Sequence, residues 1–570
     1  MGPVHAGPFP LRELAVRTEP GQVEASTHQE AILDFVRRGT GHGLVEATAG
    51  SGKTTTLVMV ARLLVEELGV APSRVVFLAF NRSAAAQLRA RLPAGVDALT
   101  LHALGRRVLV AAERPVELNE EKYVDLAAAS GAPAHAHNAL AAAARFARLD
   151  LAPAPLNVEA LRARYALELP LPSEEAASYL DGMLDGATGS DEVDFTDLLY
   201  LPVRFGLRVP SYDFVCVDEA QDMSRLSLGF VLRLVEAGAR ALFVGDASQA
   251  IYGFAGADAA SLERVAAATK ATRLPLSVSY RCPTSHVVLA RRLSPHMLPA
   301  PGAITGRVRL ASNATLVPSL SPGDLVLSRT NGPLLDLALR VAASGVPVVV
   351  LGDDRLAEAG TLVTELAEAG SVDRQKVQSS LEAEVRRLER EMPLSLELPR
   401  ALDDVRHRHQ AVAVALAAAR SSAVAPVKAA LLRLFDVARV GPHVLLSTVH
   451  KAKGREADRV FLLAPEELGI GGDLRPTPID TGQDGKAHVT ADQPVSAPDQ
   501  DAATIDDRSE ANVLFVALTR AKRDLFLVEK EPGSIRRRLQ EHQVTGAPGW
   551  LARWWDDVLR LTLTMSGRKR

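Results

Sequence analysis

Gly43-Leu44-Val45-Glu46-Ala47-Thr48-Ala49-Gly50-Ser51-Gly52-Lys53-Thr54-Thr55 decides the fold of this chain. The apolar run Gly43-Leu44-Val45 reads as a strand feeding a tight glycine turn, and the turn opens a helix. Backbone N–H groups at such a helix start face outward and form an anion site, reinforced by the helix dipole. Lys53 adds a point charge for outer phosphates, and the Thr54 hydroxyl suits Mg²⁺. The stretch Ala49, Gly50, Ser51, Gly52, Lys53, Thr54 and Thr55 is thus a candidate site for a nucleoside triphosphate with Mg²⁺. The general motif wants glycine six residues before the lysine, where this chain has Ala47.

A phosphate loop needs acidic partners, and they lie downstream. Val215-Cys216-Val217-Asp218-Glu219-Ala220-Gln221-Asp222 is a second apolar strand ending in carboxylates. A magnesium nucleotide calls for one carboxylate on the metal and another to orient the attacking water. Asp218 suits the first role and Glu219 the second.

Length and composition set the frame. At 570 residues the chain exceeds one ordinary domain. Hydrophobic residues make up 47% and charged residues 23%, the balance of a globular protein with a sizeable core. The net charge of -3 gives no global basic signature, so any nucleic-acid site must be a local groove. Two cysteines, Cys216 and Cys282, cannot build a disulfide framework, which favours a reducing compartment. With no secretory pattern at the N-terminus and no long apolar run, the expectation is a soluble, cytoplasmic protein without a membrane partner.

Strand-like runs recur at 75–79, 214–217, 241–244, 325–328, 346–351, 444–447 and 460–463. Several end at polar residues, the pattern of parallel sheets that hold ligands at strand C-terminal ends. The fold class expected is α/β, with two parallel-sheet domains divided near residue 280. Residues 104–190 are rich in alanine and leucine and read as a helical insertion. Residues 355–436 form a second one, with apolar positions at helical spacing and dense mixed charge. The first domain then comprises 1–103 and 191–279, the second 280–354 and 437–535, and 536–570 are a tail. Glycine, proline and aspartate dominate 465–508, which reads as a flexible excursion.

Beyond the loop and the acidic strand, the chain resembles a superfamily 1 DNA helicase of the UvrD/Rep type. That resemblance implies two RecA-like P-loop domains and ATP-driven movement on single-stranded and tailed duplex DNA, 3′→5′, in repair or recombination. Ala25-Ser26-Thr27-His28-Gln29-Glu30 resembles the Q motif: Thr27 and Glu30 have capping-box spacing, and Gln29 would read the adenine edge. Ala47 is also where this superfamily departs from the general loop. Phe80-Asn81-Arg82 and Thr100-Leu101-His102 resemble segments lining a single-strand track, although Phe80 also fits a core position. Val244 to Ala257 resembles motif III, implying Gln249 near the γ-phosphate and Tyr252 and Phe254 stacked on bases. The family's usual tryptophan and arginine are here Phe254 and Ala255.

The remaining motifs follow in order. Tyr280-Arg281 resembles motif IV, implying a base contact for Tyr280 and a γ-phosphate contact for Arg281. Ser328-Arg329-Thr330-Asn331 matches a segment that could face DNA phosphate, with a plain surface role equally open to Arg329. Thr448 to Glu456 resembles motif V, implying DNA contacts for Thr448 and His450 and a ribose contact for Glu456. Leu514 to Lys522 resembles motif VI, with Arg520 as an arginine finger. The catalytic set so implied is Lys53, Asp218, Glu219, Gln249, Arg281 and Arg520.

Within the superfamily the motif wording is closest to the F-box DNA helicase subgroup, with only the motor shared. Two other outputs stay open: a translocase that strips bound proteins with little unwinding, and a nucleotide-gated DNA-binding scaffold. Protein partners are not legible.

Overall fold

In the computed structural model the described residues are 25–114, 116–251, 260–351, 356–367, 369–391, 398–435, 441–465, 468, 502–531 and 533–534. They build two six-stranded sheets whose strands all pair in parallel. The first holds β1 (Gly43–Ala47), β2 (Val75–Ala79), β3 (Asp97–Thr100), β4 (Phe214–Val217), β5 (Arg240–Gly245) and β6 (Thr272–Leu276). Their spatial order is β3-β2-β4-β5-β1-β6. The second holds β7 (Arg307–Ser312), β8 (Leu325–Ser328), β9 (Val348–Val350), β10 (Val444–Thr448), β11 (Ala457–Leu463) and β12 (Ala521–Glu529), ordered β7-β12-β11-β8-β10-β9.

Burial follows from this topology. Strands β2 and β4 are buried at every position, since helices cover both faces of a parallel sheet. The outermost strand β6 alternates exposed and buried residues and accommodates Pro275, whose missing N–H is harmless at an edge. Strands β6 and β7 are absent from the apolar runs read from sequence because their arginines (Arg273, Arg307, Arg309) mark them as edge strands.

Helix α1 (Thr27–Arg38) begins at a capping box, but the pair is Ser26 and Gln29, one residue earlier than the Thr27/Glu30 spacing suggests. Helix α2 (Lys53–Arg62) starts at Gly52, which takes a left-handed conformation at φ 85°. Helices α3 (Arg82–Arg89) and α4 (Leu101–Ala111) are capped by Asn81 and Thr100. Helix α4 runs across residue 104 and packs its Leu104 and Val108 into the core of the first sheet. Beyond it, helices Lys122–Ala129, His137–Leu149, Val158–Tyr165 and Ser173–Thr188 close around Tyr123, Leu140, Leu180 and Met183. A second helical group, Leu356–Glu365, Arg374–Glu391, Leu398–Ala419 and Val424–Phe435, shares one core with the Gly332–Ala343 helix and the second sheet. Among the described residues no helix is long and apolar enough to cross a membrane.

Candidate active site

Strand β1 lies between β5 and β6, so the loop after it opens where neighbouring strands all end at the same edge. A cleft of about 970 Å³ forms there, walled by the loop, by Asp218 and Glu219 after β4, and by groups from the second sheet. Gly50 (φ 72°) allows the close approach of the second wall: a Cβ on it would lie 2.5 Å from the Arg281 Cβ. The Tyr280 N–H donates to the Gly50 carbonyl at 2.9 Å, pinning the segment after β6 against the loop. Thr48 Oγ1 and Ser51 Oγ are buried without a hydrogen-bond partner, as phosphate-facing hydroxyls would be.

The acidic wall is strained and charged. Glu219 has φ 53°, an arrangement that costs a non-glycine residue about 1–3 kcal/mol. Its carboxylate lies 3.9 Å from the Lys53 Nζ and 3.9 Å from the Lys453 Nζ. Burial works against ionisation, but Lys53, Lys453 and a hydrogen bond from Gln221 hold Glu219 down to about 2. Asp218 accepts the Glu219 N–H at 2.9 Å; burial and the Glu219 charge push it up to about 7. Asp218 and Thr54 line the same cleft and offer a pair of hard-oxygen donors that fits Mg²⁺ completed by phosphate oxygens.

The second sheet supplies the opposite charges. Arg520 is buried, donates to the Val516 carbonyl at 2.8 Å and reaches Gln249 Oε1 at 3.4 Å. Burial and nearby Arg281 lower it to about 10, still charged at neutral pH. Arg281 pairs with Glu456, which also holds the Lys522 Nζ at 2.5 Å. Gln249 donates to Asp246 and accepts the Lys453 Nζ on its carbonyl at 2.9 Å. Lys53, Thr54, Thr55, Asp218, Glu219, Gln249, Tyr280, Arg281, Glu456 and Arg520 therefore line one cleft.

Gln29 does not. It is 5% exposed; its carbonyl oxygen accepts the Ser26 N–H at 2.9 Å and its amide donates to Thr56 at 3.1 Å. The adenine-reading role expected of it is not the one its side chain fills here. Three residues that the motifs did not single out belong to the wall: Asp222 and Lys453, which pair across the cleft, and Arg91, which donates to Thr55 at 3.3 Å; behind them Gln221 ties Glu219 to the Asp246 N–H. Asp222 is pushed up to about 7 by burial against the pull of Lys453.

A second hollow of about 440 Å³ adjoins the cleft, with Phe80 and Asn81 common to both. Phe80 (39% exposed), Arg82, Thr100, His102, Leu118 and Phe195 line it. Asn81 and Thr100 spend their side-chain oxygens on the Ala84 and Ala103 N–H groups, at 2.8 Å and 3.1 Å. The His102 ring meets Phe195 edge-on at 6.1 Å, and burial lowers its pKa. Phe195 went unmarked in the sequence; its only signal is an aromatic set between the polar residues Asp194 and Thr196.

On the second domain, Arg329 is committed to Glu510, with hydrogen bonds of 2.6 to 3.1 Å, so the DNA-phosphate role considered for it gives way to an internal ion pair. Thr448 is buried and accepts the Lys451 N–H at 3.4 Å. Burial, then Arg329, lowers the His450 pKa to about 4. Asn331 sits at the start of the Gly332–Ala343 helix. Tyr252 and Phe254 lie outside the described residues.

Two parallel sheets facing each other over a phosphate loop, with acids on one wall and arginines on the other, define a RecA-like P-loop nucleotide hydrolase. Comparison with known proteins narrows the class. The UvrD/REP helicase N-terminal domain family matches residues 27–270, and the UvrD-like helicase C-terminal domain family matches residues 432–531. The chain is 27% identical to the ATP-dependent DNA helicase UvrD2 of Mycobacterium tuberculosis, covering 88% of this chain and 79% of that one; its Mycobacterium bovis counterpart matches equally. The ATP-dependent DNA helicase PcrA of Leuconostoc citreum is 27% identical over 38% of this chain and 32% of its own. The protein belongs to the UvrD-like helicases of superfamily 1 and is an ATP-dependent, DNA-binding helicase.

Proposed function

We propose that this helicase is a motor that moves along single-stranded DNA, 3′→5′, and opens tailed duplexes in repair or recombination. The observation that carries the reading is the set of cross-cleft contacts: Arg520 to Gln249, and Lys453 to Glu219 and Asp222. They make domain closure sensitive to charge at the γ-phosphate position. The motor halves are 1–103 with 191–279 and 280–354 with 437–535.

In this reading Lys53 and the loop N–H groups hold the phosphates, and Thr54 and Asp218 hold Mg²⁺. Mg²⁺ bound there would offset phosphate charge, with Asp218 holding it in the ionised form. Glu219, kept ionised by two lysines, orients the attacking water and takes its proton. Arg281 and Arg520 stabilise charge on the departing phosphoryl group, and Glu456 faces the ribose. Tyr280, 56% exposed, offers its ring to the base. Loss of the γ-phosphate removes what Arg281 and Arg520 share with Gln249, so the cleft reopens. Phe80, Asn81, Arg82, Thr100, His102, Tyr252, Phe254, Asn331, Thr448 and His450 are the strand contacts; stacking of roughly 1–3 kcal/mol per base can hold a strand yet release it. Motif wording closest to the F-box subgroup supports kinship of the motor at that finer level.

The test is ATP hydrolysis with and without single-stranded DNA, using Glu219→Gln as the blank. Strong stimulation that disappears in the variant is expected. Hydrolysis indifferent to DNA at low and moderate salt would overturn the strand-track assignment. Phe254→Ala should keep basal hydrolysis and lose most of its stimulation.

A further inference from the structure

A cluster of buried charges lies outside the nucleotide cleft, where the helical insertion rejoins the first domain. Arg148, from the His137–Leu149 helix, is buried and grips Asp194 with both terminal nitrogens, each at 2.7 Å. The same guanidinium reaches Asp197 at 2.7 Å. Asp197 also holds the Lys122 Nζ at 2.7 Å and the Tyr123 hydroxyl at 3.0 Å, both from the Lys122–Ala129 helix. Lys122 donates further to the Ala187 carbonyl at 3.0 Å, at the end of the Ser173–Thr188 helix. The Tyr123 ring lies beneath Arg148, 3.6 Å from the guanidinium carbon to the ring centre. Two insertion helices thus grip two acids three residues apart, and a third holds Lys122.

Those acids flank Phe195. Asp194 accepts the Asp197 N–H at 2.7 Å, closing the short turn from which the Phe195 ring projects, 41% exposed, into the hollow shared with His102 and Phe80. Buried ion pairs contribute little net stability compared with apolar packing, because desolvation offsets the attraction; their best-attested use is to fix geometry. A short turn without such anchors would leave a half-exposed ring free to turn into the domain core.

We infer that the Arg148–Asp194–Asp197–Lys122 cluster is a positioning device: it anchors the helical insertion to the strand track and holds Phe195 as a stacking surface for single-stranded DNA. This rests on the strand-track reading above. Arg148, Asp194, Asp197 and Lys122 touch no strand themselves. They act through the turn, so loosening the insertion loosens the grip on DNA while the nucleotide cleft is left alone.

The experiment is a double-mutant cycle on the full chain, reading affinity for an oligothymidylate by fluorescence anisotropy, with DNA-free ATP hydrolysis in parallel. Phe195→Ala should weaken binding about tenfold, the size of one lost base stack. Asp194→Asn should weaken it to a similar extent with DNA-free hydrolysis unchanged, and should add almost nothing on top of Phe195→Ala. If Asp194→Asn fails to fold, Asp194→Asn combined with Arg148→Met leaves no unpaired charge at that contact and makes the same comparison. Wild-type affinity in the cluster variants, or losses that add in full to that of Phe195→Ala, would overturn the inference. Wild-type affinity in Phe195→Ala would overturn it as well, whereas failure of the wild-type protein to bind the oligothymidylate at all would refute the strand-track reading on which it rests.

Discussion

Glu219 combines a left-handed backbone with two lysines at 3.9 Å, and its carboxylate and the lysine of the loop predict separate behaviours. Glu219→Gln keeps the size of the side chain but cannot accept a proton, so nucleotide should still bind while kcat falls about 10²–10⁴-fold. Lys53→Ala should fail earlier, at phosphate binding. Equilibrium nucleotide binding measured beside turnover separates the two. His450 offers a test by pH. Its folded pKa of about 4 lies below the ordinary histidine value of 6.5, so the fold prefers the neutral ring. That preference contributes stability above pH 6.5, which is lost as pH falls through 4, to a limit of about 3 kcal/mol. Thermal melts between pH 7 and 4 should show a smaller acid loss in His450→Gln than in the wild type, and equal slopes would exclude the effect.

At the scale of elements, the phosphate loop was legible because its chemistry is contiguous: strand, glycine turn, lysine and hydroxyl follow within a dozen residues. Gly50 shows how much it carries. Gly50→Ala would add left-handed strain of about 1–3 kcal/mol and press a methyl against Arg281, so nucleotide affinity should fall about tenfold or more, read by titration with a fluorescent analogue. What the sequence did not disclose are pairings between remote elements. Sequence separations of 231 between Lys453 and Asp222, and of 181 between Arg329 and Glu510, leave no local pattern. The capping box slipped by one residue because Ser26 and Thr27 are both capable caps, and the Gln29 side chain settles the choice by bonding back to the Ser26 N–H. Edge strands β6 and β7 were missed for the opposite reason, their arginines masking an extended backbone.

For the whole molecule, a net charge of -3 means that no long-range field draws it to DNA. Binding should rest on local contacts and stacking, with a shallow dependence on salt; a slope as steep as that of a protein neutralising many phosphates would contradict this. Unwinding should require a 3′ tail, and duplexes with blunt ends or only a 5′ tail should stay closed. Equal opening of both tailed forms would remove the polarity taken from family likeness.

Phe80 and Asn81 line the nucleotide cleft on one side and the aromatic hollow on the other. The two chambers are therefore neighbours through a party wall rather than stations joined by a wire. With nucleotide in one and the strand in the other, as proposed, coupling would need no relay of intermediate parts, and thermodynamics then requires symmetry. Whatever factor the nucleotide adds to strand affinity, the strand must return to nucleotide affinity.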